Sequence, residues 1–112
     1  MIIDPNKIKE EILVGFKGGN GELATRNYVD DKCKIMFSHL QPGASSGLHK
    51  HEGNCEIVYI ISGKATFYYD GKKETAEQGQ AHYCPEGHEH YMKNDTDEDL
   101  YYFAVVPEHH LK

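Results

Sequence analysis

From Glu22 onward the chain alternates apolar and polar positions over short runs, and each run is closed by glycine, proline or small polar residues. A period of two puts one side of each run toward a core and the other toward solvent, the pattern of an antiparallel all-β domain. The runs predict strands at about 23–29, 33–40, 47–51, 55–61, 64–70, 72–77, 81–84, 89–93 and 100–106. Asp70-Gly71 sits between two of them, and a two-residue turn needing positive φ at both positions predicts a tight hairpin. Gln41-Pro42-Gly43, Ser62-Gly63, Gln78-Gly79 and Pro85-Glu86-Gly87 supply further turns. Residues 1–21 lack this rhythm and are expected to form a peripheral segment. Within it, Asn6 is placed to cap a short helix carrying Ile8, Glu11 and Ile12, ended by Gly18-Gly19-Asn20-Gly21. Residues 22–112 are expected to be one domain, the size a single core supports.

Twelve basic against eighteen acidic residues leave a net charge of -6, which argues against a nucleic-acid partner or an acidic membrane surface. No apolar run approaches membrane-spanning length, and the opening Met1-Ile2-Ile3-Asp4-Pro5 lacks signal-peptide character, so a cytoplasmic protein is expected. Cys33, Cys55 and Cys84 are odd in number and contain no Cys-x-x-Cys, which fits reduced thiols rather than a disulfide framework. The glycine cluster at 18–21 lacks the endings of phosphate-binding loops. The acidic run from Asn94 to Asp99 lacks the full calcium-loop pattern and reads as a solvated hairpin loop.

His49 and His51 are two apart, so on an extended strand they face the same way and can converge on one ion. Glu52-Gly53-Asn54 offers a turn, after which Glu56 opens an apolar strand and can swing a carboxylate toward the same point. His90 follows a Pro-Glu-Gly turn and can return from a fourth direction, which would place three imidazoles and one carboxylate on the face of a sheet.

The spacing carries more than any single residue. Gly43-x5-His49-x-His51-x4-Glu56-x6-Gly63 resembles the first motif of the cupin family at every fixed position. Gly79-x5-Pro85-x-Gly87-x2-His90-x3-Asn94 resembles the second. With each residue type near one in twenty of ordinary composition, agreement by accident at so many positions is negligible. The resemblance covers residues 41–95 and implies a cupin-type double-stranded β-helix, a jelly-roll barrel with a short N-terminal extension. It implies one divalent transition metal per chain (manganese, iron, nickel, cobalt, copper or zinc) held by His49, His51, Glu56 and His90. Proteins of this kind are usually homodimers, and similar small barrels are often described as oxalate decarboxylase-like.

A divalent ion on three imidazoles and a carboxylate keeps open positions that suit a carboxylate, a 2-oxo acid or a sugar acid as small-molecule ligand. The expected function is that of a metal-dependent enzyme, a decarboxylase, isomerase or dioxygenase. The alternative is a non-catalytic ligand-binding or sensor module. For the proton-moving residue the candidates are His82, Tyr83, His88, Glu89, Tyr59, Tyr69, Tyr91 and Tyr102, and the one preferred is His82, on a strand just before Cys84-Pro85. If Glu56 faces inward, Val58 and Ile60 share its face and Tyr59 does not. If His90 faces inward, so does Met92, and Tyr91 does not. Ala65, Phe67 and Tyr69 read as barrel interior. His88 and Glu89 read as rim residues, Cys55 as outward packing and His109-His110 as solvated tail.

Overall fold

A computed structural model describes residues 1–107. Ten strands carry the fold: β1 (Glu11–Val14), β2 (Glu22–Val29), β3 (Cys33–Leu40), β4 (His49–Lys50), β5 (Glu56–Ser62), β6 (Lys64–Tyr69), β7 (Lys72–Glu77), β8 (Ala81–Cys84), β9 (Glu89–Lys93) and β10 (Leu100–Pro107). They form a six-stranded sheet in the order β1-β2-β3-β10-β5-β8 and a four-stranded sheet in the order β4-β9-β6-β7. Every named pairing is antiparallel. The two sheets close into a jelly roll around Leu23, Met36, Leu40, Val58, Ile60, Phe67, Met92, Leu100 and Tyr102. Among the described residues no helix is long and apolar enough to cross a membrane.

The expected parity holds on the strands that matter here. Val58 and Ile60 are buried beside Glu56 while Tyr59 is exposed, and Met92 is buried two places after His90. The β6–β7 hairpin turns on Asp70 and Gly71 at φ 49° and 80°, the left-handed pair that the sequence demanded. Strand β4 is shorter than expected because Gly47 leaves the ladder to donate to Phe16 O at 2.9 Å.

The N-terminal helix is not formed. A single 3-10 turn covers Pro5–Lys7, capped by Asp4 rather than Asn6: the Asp4 carboxylate accepts from the Asn6 amide at 3.0 Å. Next, Glu11-Ile12-Leu13-Val14 pairs with β2, Ile12 opposite Ala24 and Leu13 opposite Leu23. The open edge of β2 offers a row of backbone hydrogen bonds, and two β-branched residues in four favour the extended form. Leu13 also packs against the core.

The loop of residues 94–99 is built on Asn94, which is fully buried. Its amide donates to Leu40 O at 2.9 Å and Glu98 O at 2.7 Å, and its oxygen accepts from the Thr96 amide and hydroxyl at 3.1 and 2.7 Å. The asparagine ending the second motif therefore ties the last hairpin loop to β3.

Candidate metal centre

His49 and His90 face each other as register partners on β4 and β9, and His51 continues the ladder by donating its amide to His88 O at 3.0 Å. Glu56 comes from the other sheet, at the start of β5. The four groups therefore meet across the barrel interior. The expected arrangement on the face of one sheet is corrected, because β4 and β5 are split by the turn at 52–55 into different layers.

The ring nitrogens converge. His90 Nε2 lies 3.0 Å from His51 Nε2 and 3.2 Å from His49 Nε2, and Glu56 Oε1 lies 3.0 Å from His90 Nε2 and 3.3 Å from His51 Nε2. All four ligand atoms fall within 4.8 Å of one another. The three rings are inclined by 64–68° to one another, like the blades of a propeller. Two donors each about 2.1 Å from a shared ion and at right angles lie about 3.0 Å apart, so these separations suit a common cation.

What surrounds the rings fixes their tautomers. His49 Nδ1 donates to Gly47 O at 2.8 Å and His51 Nδ1 donates to Asn54 Oδ1 at 2.6 Å. His82 Nδ1 donates to the Glu74 carboxylate at 2.8 Å, which leaves His82 Nε2 to accept from His90 Nδ1 at 3.0 Å. Each ligand imidazole thus spends its N–H on an outer partner and turns a lone pair inward. Burial pushes the His49 pKa down to about 4, against the opposing Gly47 hydrogen bond. Burial alone would raise Glu56, yet in the metal-free centre His51 and His90, whose Nε2 atoms donate to it when their rings are protonated, overcome burial and hold the carboxyl at about 2. His51 is raised, chiefly by its hydrogen bond to Glu56. Four lone-pair donors, one of them anionic, face one point, and the cluster could hold a metal ion.

The centre opens into a cavity of about 370 Å³. Met36, Val58, Phe67, Met92 and Tyr102 form its apolar walls, and Lys17, Lys34, Lys50 and Glu52 stand among its polar ones. His82 is not part of that lining. It is buried behind His90, stacked on Phe67 at 3.8 Å between ring centroids. Burial lowers its pKa against the Glu74 hydrogen bond. His88 sits at the rim, bonded to Asp70, and Glu89 is exposed. Cys55 and Cys84 are buried outside the lining, and burial pushes the Cys84 thiol up to about 12. His109 and His110 lie outside the described residues. Glu74 and Lys17 escaped the sequence reading, Asn54 entered it only as a turn residue, and Tyr102 only as one of several candidate proton carriers. Only Asn54 carried a local signal, its place between His51 and Glu56.

The fold and the motif spacing have a direct counterpart among known proteins. Residues 36–106 match the cupin domain family model. The chain belongs to the cupin family. This cupin is 32% identical over 112 residues to an oxalate-binding protein of Thermotoga maritima, covering 95% of the chain and 93% of that relative. It is 36% identical over 111 residues to oxalate decarboxylase OxdC of Bacillus subtilis, covering 93% of the chain but 29% of the longer enzyme. The crystal structure of a predicted oxalate decarboxylase from Thermotoga maritima superposes with a TM-score of 0.90 at 31% identity, over 96% of this chain and 99% of that one. A sugar phosphate isomerase cupin from Silicibacter pomeroyi, with a TM-score of 0.79 at 20% identity over 96% of this chain and 76% of its own, shares the fold.

Proposed function

We propose that this cupin binds one divalent transition metal through His49, His51, Glu56 and His90 and uses it to capture a small oxygen-rich acid of the oxalate type. The observation that carries the reading is the inward set of three Nε2 lone pairs and one carboxylate oxygen, each imidazole fixed by an outer hydrogen bond. After Glu56 the ion keeps a charge near +1 and supplies Lewis acidity to oxygen donors. The name of the Thermotoga relative, matched almost end to end, supports a small carboxylate as ligand.

Capture fits the cavity better than turnover. Apart from the ligand set, most of its apolar wall is Met36, Val58, Phe67 and Met92, which move no protons. His82, behind His90, acts in this reading as a positioning residue. Enzymatic turnover is the second reading, favoured by the buried Tyr102 hydroxyl on the same wall, whose pKa is raised by burial and then by Glu56. Elemental analysis and calorimetry test the first reading: the wild type should carry metal and bind oxalate, and His49→Ala/His51→Ala should do neither while staying folded by circular dichroism. Equal metal in both proteins would refute it. Release of carbon dioxide or another product on incubation would move the conclusion to the second.

The same reading has the protein as a homodimer through the outer face of the six-stranded sheet. On β3, β10, β5 and β8 the outward positions 35, 37 and 39, 101, 103 and 105, 57, 59 and 61, and 81 and 83 carry no Lys, Arg, Asp or Glu, and Arg26 on β2, opposite Phe37, bounds the apolar area. On this face Ile57, Tyr59, Ile61, Tyr83 and Tyr101 are 41–56% exposed. At about 200 Å² per large side chain the five present roughly 450 Å², near the limit for a monomer. Half-buried Ile35, Phe37, Phe103 and Val105 extend the patch toward the about 800 Å² per partner of a stable interface. Sedimentation should give the mass of two chains, and Tyr59→Lys should give one.

A further inference from the structure

Two described residues other than glycine hold positive φ: Asp70 and Lys17. Asp70 belongs to the hairpin turn, where aspartate is at ease. Lys17 is in the left-handed region at φ 52°, ψ 31°, in the middle of the 3-10 turn Phe16–Gly18, and no local side-chain bond compensates a lysine there. The surroundings impose that conformation. Gly47 donates to Phe16 O at 2.9 Å, Ser45 donates to Asn20 O at 2.8 Å, and the Asn20 amide donates to Ser45 Oγ at 3.1 Å. A Cβ on Gly47 would lie 1.7 Å from Lys17 O, so the two backbones meet as closely as glycine allows. The N-terminal segment is thereby strapped to the loop that leads into His49.

The strap delivers Lys17 to the cavity wall, alongside Lys34 and Lys50. The ammonium groups of Lys17 and Lys34 lie 5.5 and 5.8 Å from the Phe16 ring centroid. Among the described residues none of the three lysines is ion-paired. The carboxylates on the lining are Glu52 and Glu56, and Glu56 is engaged by the histidines. In a chain of net charge -6, three cations against two carboxylates make this wall electropositive even before a metal is counted.

We propose that Lys17, backed by Lys34 and Lys50, anchors the second carboxylate of a small dianion whose first carboxylate is held at the His49, His51, Glu56 and His90 centre, and so selects diacids over monoacids. The inference rests on the capture reading above and deepens it to a specificity residue. Backbone strain at position 17 is retained because a lysine there meets the ligand.

The test is calorimetry on protein loaded with Mn²⁺, its metal content verified, using oxalate and oxamate. The two have nearly the same shape and differ by one charge. Wild type should prefer oxalate by about tenfold, and the preference should shrink with added salt. Lys17→Met should lose five- to tenfold in oxalate affinity, keep its metal and keep oxamate within twofold; Lys17→Arg should restore oxalate. Lys17→Gly should match Lys17→Met in binding yet raise Tm, since glycine takes the left-handed conformation freely. Unchanged oxalate binding in Lys17→Met, or equal loss of both ligands, overturns the role of Lys17 while leaving capture intact. A wild type that binds neither ligand overturns capture, and this proposal with it.

Discussion

Replacing His82 by phenylalanine removes the acceptor of the His90 Nδ1 proton while keeping an aromatic ring against Phe67. His90 is 3% exposed, so water cannot take the place of that acceptor. Losing an outer partner of a metal-bound imidazole costs ten- to a hundredfold in metal affinity, or about 1.4–2.7 kcal/mol. The buried position of the His90–His82 bond puts His82→Phe at the upper end. Glu74, half exposed at its carboxylate, acts one bond further out, so Glu74→Ala should cost about three- to tenfold. If the chain Glu74–His82–His90 acts as a unit, Glu74→Ala adds little once His82 is phenylalanine. Competition against a chromophoric chelator gives the four affinities, and His82→Gln, which restores an acceptor, should recover much of the loss. A His82→Phe protein that binds metal like wild type, or strictly additive effects of the two changes, would refute the relay.

Metal affinity should depend on pH in one direction. His51 is raised above its ordinary 6.5, so a cation must displace its proton, and affinity should fall by a factor approaching about tenfold per unit as pH drops below that raised value. His49, held at about 4, competes only below that. A flat profile between pH 5 and 8 would contradict the geometry. Asn94→Ala removes the side-chain donor to the Leu40 and Glu98 carbonyls and strands the Thr96 amide, and should cost about 2–3 kcal/mol, a fall in Tm on the order of 10 °C by calorimetry, with little change in metal affinity.

The strands and the four convergent groups were legible because both rest on local regularities: alternation decides which side chains share a face, and the motif spacing fixes the turns between them. Two kinds of feature were not. Ile12, Leu13 and Val14 have no strand signal of their own length, and the open edge of β2 decides their conformation. Glu74, and the parts played by His82 and Tyr102, which the sequence offered only as candidate proton carriers, depend on contacts between strands distant in sequence. Tyr102 reaches the interior beside Ile60, just past a shift in register between β10 and β5 that alternation within either strand cannot reveal. Lys17 was hidden for a different reason, since it occupies a conformation that sequence preference assigns to glycine and tertiary strapping assigns to lysine.

Three of the donor atoms ride on one layer of the barrel and the fourth on the other. Whatever sits between them is a rivet as much as a reagent: the layers cannot part at that end without letting go of it, nor can it leave without loosening them. Chelation should therefore be audible far from the centre, as faster hydrogen exchange at the adjoining ends of both sheets together.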